Sequence, residues 1–286
     1  MQYVTFCVAP AKGTPQFKVW EILPGQEQFE LFRRSVRSID NQAQFVVITD
    51  SETSFGGNAA DTHVVRCVTN THEIMLERTR RQLEFLENND FRVPIVFVDT
   101  DMLILASLSP VFDQSFDIAV SLRSDGAMPV NGGLFLVNNR QPKRSLQFFR
   151  ELLERMETES RAERREWYGD QVALSHMLGQ LDNRIDVGIT REYGGFSILF
   201  LNSDTFNFSP PSEHPKLWQD LTGKYIYHFK GRCRAYMKDF WRLRVNPDAT
   251  WFQRLPLARV LSQTKLELKR RQHKRMFLDD KRRKFD

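Results

Sequence analysis

The stretch VPIVFVDTDMLIL (Val93–Leu105) is the most apolar in the chain, and it carries two carboxylates one residue apart. A short apolar run closed by polar residues suits a strand buried on both faces of a sheet. Asp99 and Asp101 then stand where that strand breaks off. In an open α/β sheet the carboxyl ends of the strands are where ligands bind. Side-chain alternation puts Asp99 and Asp101 on one side, close enough to reach one divalent cation or its water shell. A cation there would neutralise negative charge on a bound ligand, such as a phosphate group. A lone D-x-D also reads as a pair of turn or capping aspartates. The apolar residues on both sides of this one favour chemistry.

Upstream of it, YVTFCVA (Tyr3–Ala9), FVVITD (Phe45–Asp50) and HVVRCV (His63–Val68) read as strands. Helices are expected over Gln26–Ser38, where Phe29, Phe32 and Val36 share a face, and over His72–Glu87. Downstream, strands are expected at Asp117–Leu122 and Gly133–Val137, and helices at Lys143–Met156 and Asp170–Leu178. Met156–Trp167 reads as a solvated helix end or loop. Strands alternating with helices argue for an α/β fold with a mixed, mainly parallel sheet flanked by helices. No linker or repeat interrupts the pattern, so the expectation is one catalytic domain, 1–260, followed by a basic tail, 261–286.

Composition fits an ordinary soluble protein: 41% hydrophobic, 27% charged, with 23 Phe to pack a core. Cys7, Cys67 and Cys233 are odd in number and lack metal-site spacing, which suits reduced thiols. The opening residues lack the pattern of a secretory signal, and no apolar run approaches the roughly 20 residues of a membrane span. A cytoplasmic protein is expected. From Lys265 to Asp286 there are ten Lys/Arg against four Asp/Glu, more than the chain's whole net charge of +5. The preceding residues are therefore close to neutral, which argues against a nucleic-acid-binding domain. The tail mixes apolar residues with its cations. It suits either contact with the inner face of an anionic membrane or a solvated extension.

Three further stretches carry polar residues in chemically useful places. PVNGGLFLVNN (Pro129–Asn139) places two glycines before an apolar strand, allowing close approach of a ligand, and Asn131 offers a donor and an acceptor to sugar hydroxyls. An Asn-Gly turn is the competing reading. WYGDQVALSHML (Trp167–Leu178) starts a helix with Asp170, an N-cap by default, and Gln171, which has no capping need. YIYHFKGRCR (Tyr225–Arg234) sets His228 after a short aromatic strand, with Lys230, Arg232 and Arg234 around Gly231. A neutral imidazole can be a third metal ligand, and the cations suit diphosphate oxygens.

The ordered set D-T-D (99–101), N-G-G (131–133), D-Q (170–171) and H-F-K-G-x-x-R (228–234) resembles the retaining GT-A glycosyltransferases around family 8, the glycogenin and bacterial galactosyltransferase relatives. The similarity runs from about Phe6 to Arg234 as spaced motifs. It implies a GT-A fold and transfer of a sugar from a nucleotide-diphosphate donor, a UDP-sugar foremost, to a hydroxyl of a glycan or lipid-linked acceptor. It further implies Mn²⁺ (or Mg²⁺) on Asp99, Asp101 and His228. Asn131 and Gly132 would face the donor sugar, and Asp170 and Gln171 would lie near the reacting carbon. Gly231 and Arg234, beside Lys230, would meet the diphosphate. Arg234 stands where the family has Lys, and no Pro-Trp follows it. FNFSP (Phe206–Pro210) is similar to the family's Asn-aromatic stretch. On the helix ERTRRQLEFL (Glu77–Leu86), Arg78 and Arg81 would reach the donor phosphates or base, although exposed arginines on a helix are ordinarily a solvated face.

Three other readings compete. A haloacid-dehalogenase-like phosphatase would use Asp99 as nucleophile and Asp101 as acid/base. It wants its D-x-D near the start of the chain and a later acidic pair in the core, whereas Asp279 and Asp280 lie in the charged tail. A sugar-nucleotide pyrophosphorylase needs a Gly-rich loop after the first strand, and APAKGTP (Ala9–Pro15) has one glycine. A non-catalytic, basic-tailed binding protein leaves the polar motifs unexplained.

Overall fold

The computed structural model describes residues 1–12, 23–55, 61–123, 129–158, 168–179, 187–209 and 219–248, together with 260–265, 267, 268 and 271. The elements in chain order are β1 (Gln2–Phe6), α1 (Gly25–Arg37), β2 (Gln44–Thr49), β3 (Thr62–Arg66), α2 (Ile74–Glu87), β4 (Ile95–Val98), β5 (Met102–Ile104), β6 (Ile118–Leu122), β7 (Val130–Val137), α3 (Pro142–Thr158), α4 (Gly169–Met177), β8 (Thr190–Tyr193), β9 (Phe196–Asn202), α5 (Ser203–Phe206), β10 (Ile226–His228) and α6 (Met237–Phe240).

Eight strands form one sheet in the order β3-β2-β1-β4-β7-β6-β9-β8, and β5 and β10 form a separate ribbon. Four of its seven pairings are parallel, the mixed and mainly parallel sheet that the alternation of elements implies. The strands between the two edges, β3 and β8, are buried on both faces because alternate side chains feed two different cores. Along β2, Val46 and Ile48 pack with Phe97, Phe148 and Phe149 on the side of α2 and α3. Phe45 and Val47 pack with Phe29 and Phe32 of α1 on the other. Phe29 and Phe32 each meet the Phe45 ring edge-on at 6.1 Å, which is how this Phe-rich chain fills the second core. A third cluster, around Tyr227, Phe229 and Phe240, seats the β5–β10 ribbon.

Several boundaries differ from the sequence expectation. β1 stops at Phe6 instead of Ala9, and β7 starts at Val130 instead of Gly133. β5, β8 and β9 were not expected at all. β8 and β9 form a hairpin across Gly194 and Gly195, which take φ of +57° and +87° in a two-residue turn that favours glycine at both places. Residues 159–167, Pro210, most of the basic tail and the pair Asp279/Asp280 lie outside the described residues. Among the described residues, no helix is long and apolar enough to cross a membrane.

The β6–β7 register decides the shape of the site. It jumps from Val120↔Phe135 to Ser121↔Asn131, so β7 bulges over Gly132–Leu134. Such irregularities re-aim side chains beside functional sites.

Candidate active site

β4 ends at Val98, and the Asp99 amide still donates to the Gly133 carbonyl at 3.0 Å. The chain turns through Thr100, whose hydroxyl donates to Gln28 Oε1 at 3.3 Å, and then enters β5. β5 pairs antiparallel with β10, setting His228 opposite Met102, and the Phe229 amide donates to the Asp101 carbonyl at 2.8 Å. The ribbon thereby delivers His228 to the D-x-D turn. Ligand atoms of Asp99, Asp101 and His228 all lie within 4.8 Å of one another.

Asp101 has only 2% of its side chain exposed. Its Oδ2 accepts from Arg234 Nε at 2.6 Å. Its Oδ1 lies 3.1 Å from His228 Nε2, yet that buried oxygen has no hydrogen-bond partner. Burial pushes the Asp101 carboxyl up, but the Arg234 guanidinium foremost outweighs burial and holds it well below the usual carboxylate range. Asp99 keeps 30% of its side chain exposed. Burial raises its carboxyl, with Arg78 opposing and the Asp101 charge adding to the rise. Burial lowers the His228 imidazole against the pull of Asp101. An orphaned buried carboxylate oxygen, a second carboxylate partly open to solvent and an imidazole whose charged form burial disfavours make a donor set that fits Mn²⁺ or Mg²⁺.

Arg78 occupies the buried face of α2 and bridges two acids. Nη1 donates to Asp99 Oδ1 at 2.7 Å and Nη2 to Asp170 Oδ2 at 2.5 Å. Asp170, at the start of α4, is 2% exposed, and its Oδ1 has no hydrogen-bond partner. It makes no side-chain cap for α4, whose first turn it occupies. The glycines of β7 are what let these acids approach. A Cβ on Gly132 would stand 1.7 Å from Asp170 Oδ2, and one on Gly133 would stand 2.4 Å from Asp99 Oδ2. Gly132→Ala should therefore push Asp170 off Arg78 and lower stability by about 1–3 kcal/mol, the usual cost of overfilling a packed site. Thermal unfolding of the variant checks this, and an unchanged melting temperature would contradict the geometry.

The other sequence candidates are placed as follows. Asn131 is buried, with its Oδ1 accepting from the Gly133 amide at 3.0 Å. Gln171 follows Asp170 in the first turn of α4 and is half-buried. Lys230 and Gly231 follow β10, with Gly231 at φ +54° opening the turn that returns Arg234 to Asp101. Burial, with help from the Arg123 charge, pushes the Lys230 ammonium down to about 8. Arg81 is not brought into the cluster: its guanidinium donates to Glu84, Glu77 and the Val68 carbonyl. Ser121, Gln28 and Arg123 were not anticipated from sequence. Ser121 was detectable as the one polar residue of the strand IAVSL.

No protein-family model matches the chain, and no curated protein matches it. Solved structures do. GlyE, a glycosyltransferase in Streptococcus pneumoniae TIGR4, superposes with a TM-score of 0.52 at 14% identity, covering 88% of this chain and 63% of GlyE. An active-site mutant of LgtC gives 0.50 at 16%, covering 89% of this chain and all of that one. The bifunctional glycosyltransferase WbbM gives 0.50 at 11%, covering 92% and 52%. The chain thus spans less than two thirds of the GlyE and WbbM chains. At these identities the likeness is one of fold, and the fold is the GT-A fold of glycosyltransferases.

Proposed function

We propose that this chain is a glycosyltransferase that takes a sugar from a nucleoside-diphosphate donor, a UDP-sugar foremost, and delivers it to a hydroxyl of a glycan or lipid-linked acceptor. The observation that carries this reading is the convergence of Asp99, Asp101 and His228 at the carboxyl edge of a GT-A sheet. When bound there, Mn²⁺ or Mg²⁺ supplies positive charge against the donor diphosphate. The turn after β10 adds the cations of Lys230 and Arg234 beside the same acids, suiting it to the leaving diphosphate. Asn131 and Gly132, on the β7 bulge, line the donor sugar. Asp170 and Gln171 lie nearest the reacting carbon, and by resemblance the configuration at that carbon is retained.

The three-residue donor set has a direct test. In a Mn²⁺ titration of nucleotide-sugar turnover, His228→Ala should raise the metal requirement by at least the roughly 10- to 100-fold seen when metal-site support is lost. Folding, followed by circular dichroism, should survive. An unchanged metal requirement in a folded variant would remove His228 from the site.

A further inference from the structure

We infer that Asn207, anchored by Ser121, is a positioning residue that fixes the tautomer of His228 and so leaves Nε2 a bare lone pair beside Asp101. The inference rests on the metal-site reading above and extends it to two residues that touch neither donor nor cation.

The geometry is a chain of three buried side chains. Asn207 Oδ1 lies 2.7 Å from His228 Nδ1, and Asn207 Nδ2 donates to Ser121 Oγ at 2.8 Å. As placed, the amide nitrogen faces Ser121 and Oδ1 faces the ring, and in that orientation Nδ1 carries the hydrogen. A neutral imidazole has one N–H. Nε2 is then a bare lone pair, 3.1 Å from the partnerless Asp101 Oδ1. Two acceptors facing each other repel unless a cation lies between them. A histidine whose far nitrogen donates to a fixed oxygen is the usual arrangement of a metal ligand.

The backbone holds both ends of this contact. Asn207 closes α5, its amide donating to the Ser203 carbonyl at 2.9 Å. The amide of the next residue, Phe208, donates to the Ile226 carbonyl at 3.1 Å, and the Phe208 carbonyl accepts from the His228 amide at 2.8 Å. Ser121 stands on β6 at the register jump that forms the β7 bulge, and β6 also pairs with β9, the strand that runs into α5. One irregularity of the sheet therefore sets Asn131–Gly133 against the acids and Ser121 against Asn207.

The test uses the full chain and two readouts besides turnover. Nitrogen-15 NMR of the metal-free protein at neutral pH should show the His228 ring with hydrogen on Nδ1. Hydrogen on Nε2 would overturn the proposal without any mutation. Calorimetric titration with Mn²⁺ should show roughly 10- to 100-fold weaker binding in Asn207→Ala and near-original binding in Asn207→Asp, which keeps an oxygen acceptor for Nδ1. Ser121→Ala should weaken binding less than Asn207→Ala. His228→Ala in the same titration separates the two claims. If it weakens binding and folded Asn207→Ala does not, the positioning role fails and the metal site stands. If His228→Ala changes nothing, His228 is not a ligand, the positioning role falls with it, and the metal site reduces to Asp99 and Asp101.

Discussion

Asp101→Asn should cost nucleotide-sugar turnover more than 100-fold at fixed Mn²⁺, beyond the roughly 10- to 100-fold typical of losing an outer partner. The substitution removes a negative charge that Arg234 holds ionised against burial, and it sits where Oδ1 has no other partner. The amide oxygen can still accept from Arg234 Nε, so the fold should persist and the loss should fall on metal binding. Activity assays across a Mn²⁺ series, with a melting curve beside them, check both halves. A folded variant with near-original turnover would mean that the turn only shapes the backbone.

The second large effect concerns stability. Arg78 is 8% exposed and stands between Asp99 and Asp170. Arg78→Met leaves Asp170 as a buried, unpaired carboxylate, and removing one partner of such a pair costs about 3–5 kcal/mol. For a domain of roughly this size that lowers the melting temperature by roughly 10 °C. Adding Asp170→Leu removes the stranded charge, so the double variant should regain much of the loss while remaining inactive. A single variant as stable as the parent would show that Asp170 is neutral or solvated in the folded protein.

How far the sequence foretold this site depends on the kind of signal each part carries. The parallel core was legible because strands buried on both faces read as unbroken apolar runs, as in Phe45–Asp50 and Val93–Asp99. β5 escaped notice because MLI simply continues the apolar run beyond Asp101, and nothing local shows that the chain has turned and changed partner. β8–β9 was hidden for another reason. TREY in β8 has no apolar run, whereas ILFL in β9 is one, and that run with the Gly194-Gly195 turn was the usable sign. Within the site, Asp99, Asp101 and His228 were legible by type and position. Arg78 and Arg81 look alike on one helix, and only packing separates the arginine that faces the acids from the one bound to Glu77 and Glu84. The bulge that turns Ser121 towards Asn207 is a property of strand pairing, which no single strand records.

The measurement that bears most directly on the central claim is a hydrolysis screen of the purified chain across nucleotide-sugars, each with Mn²⁺ and with EDTA. The account predicts slow release of a nucleoside diphosphate from one donor class, a UDP-sugar foremost, abolished by EDTA. Release of phosphate from simple phosphomonoesters, with no turnover of any nucleotide-sugar, would contradict it and return Asp99 and Asp101 to the phosphatase reading.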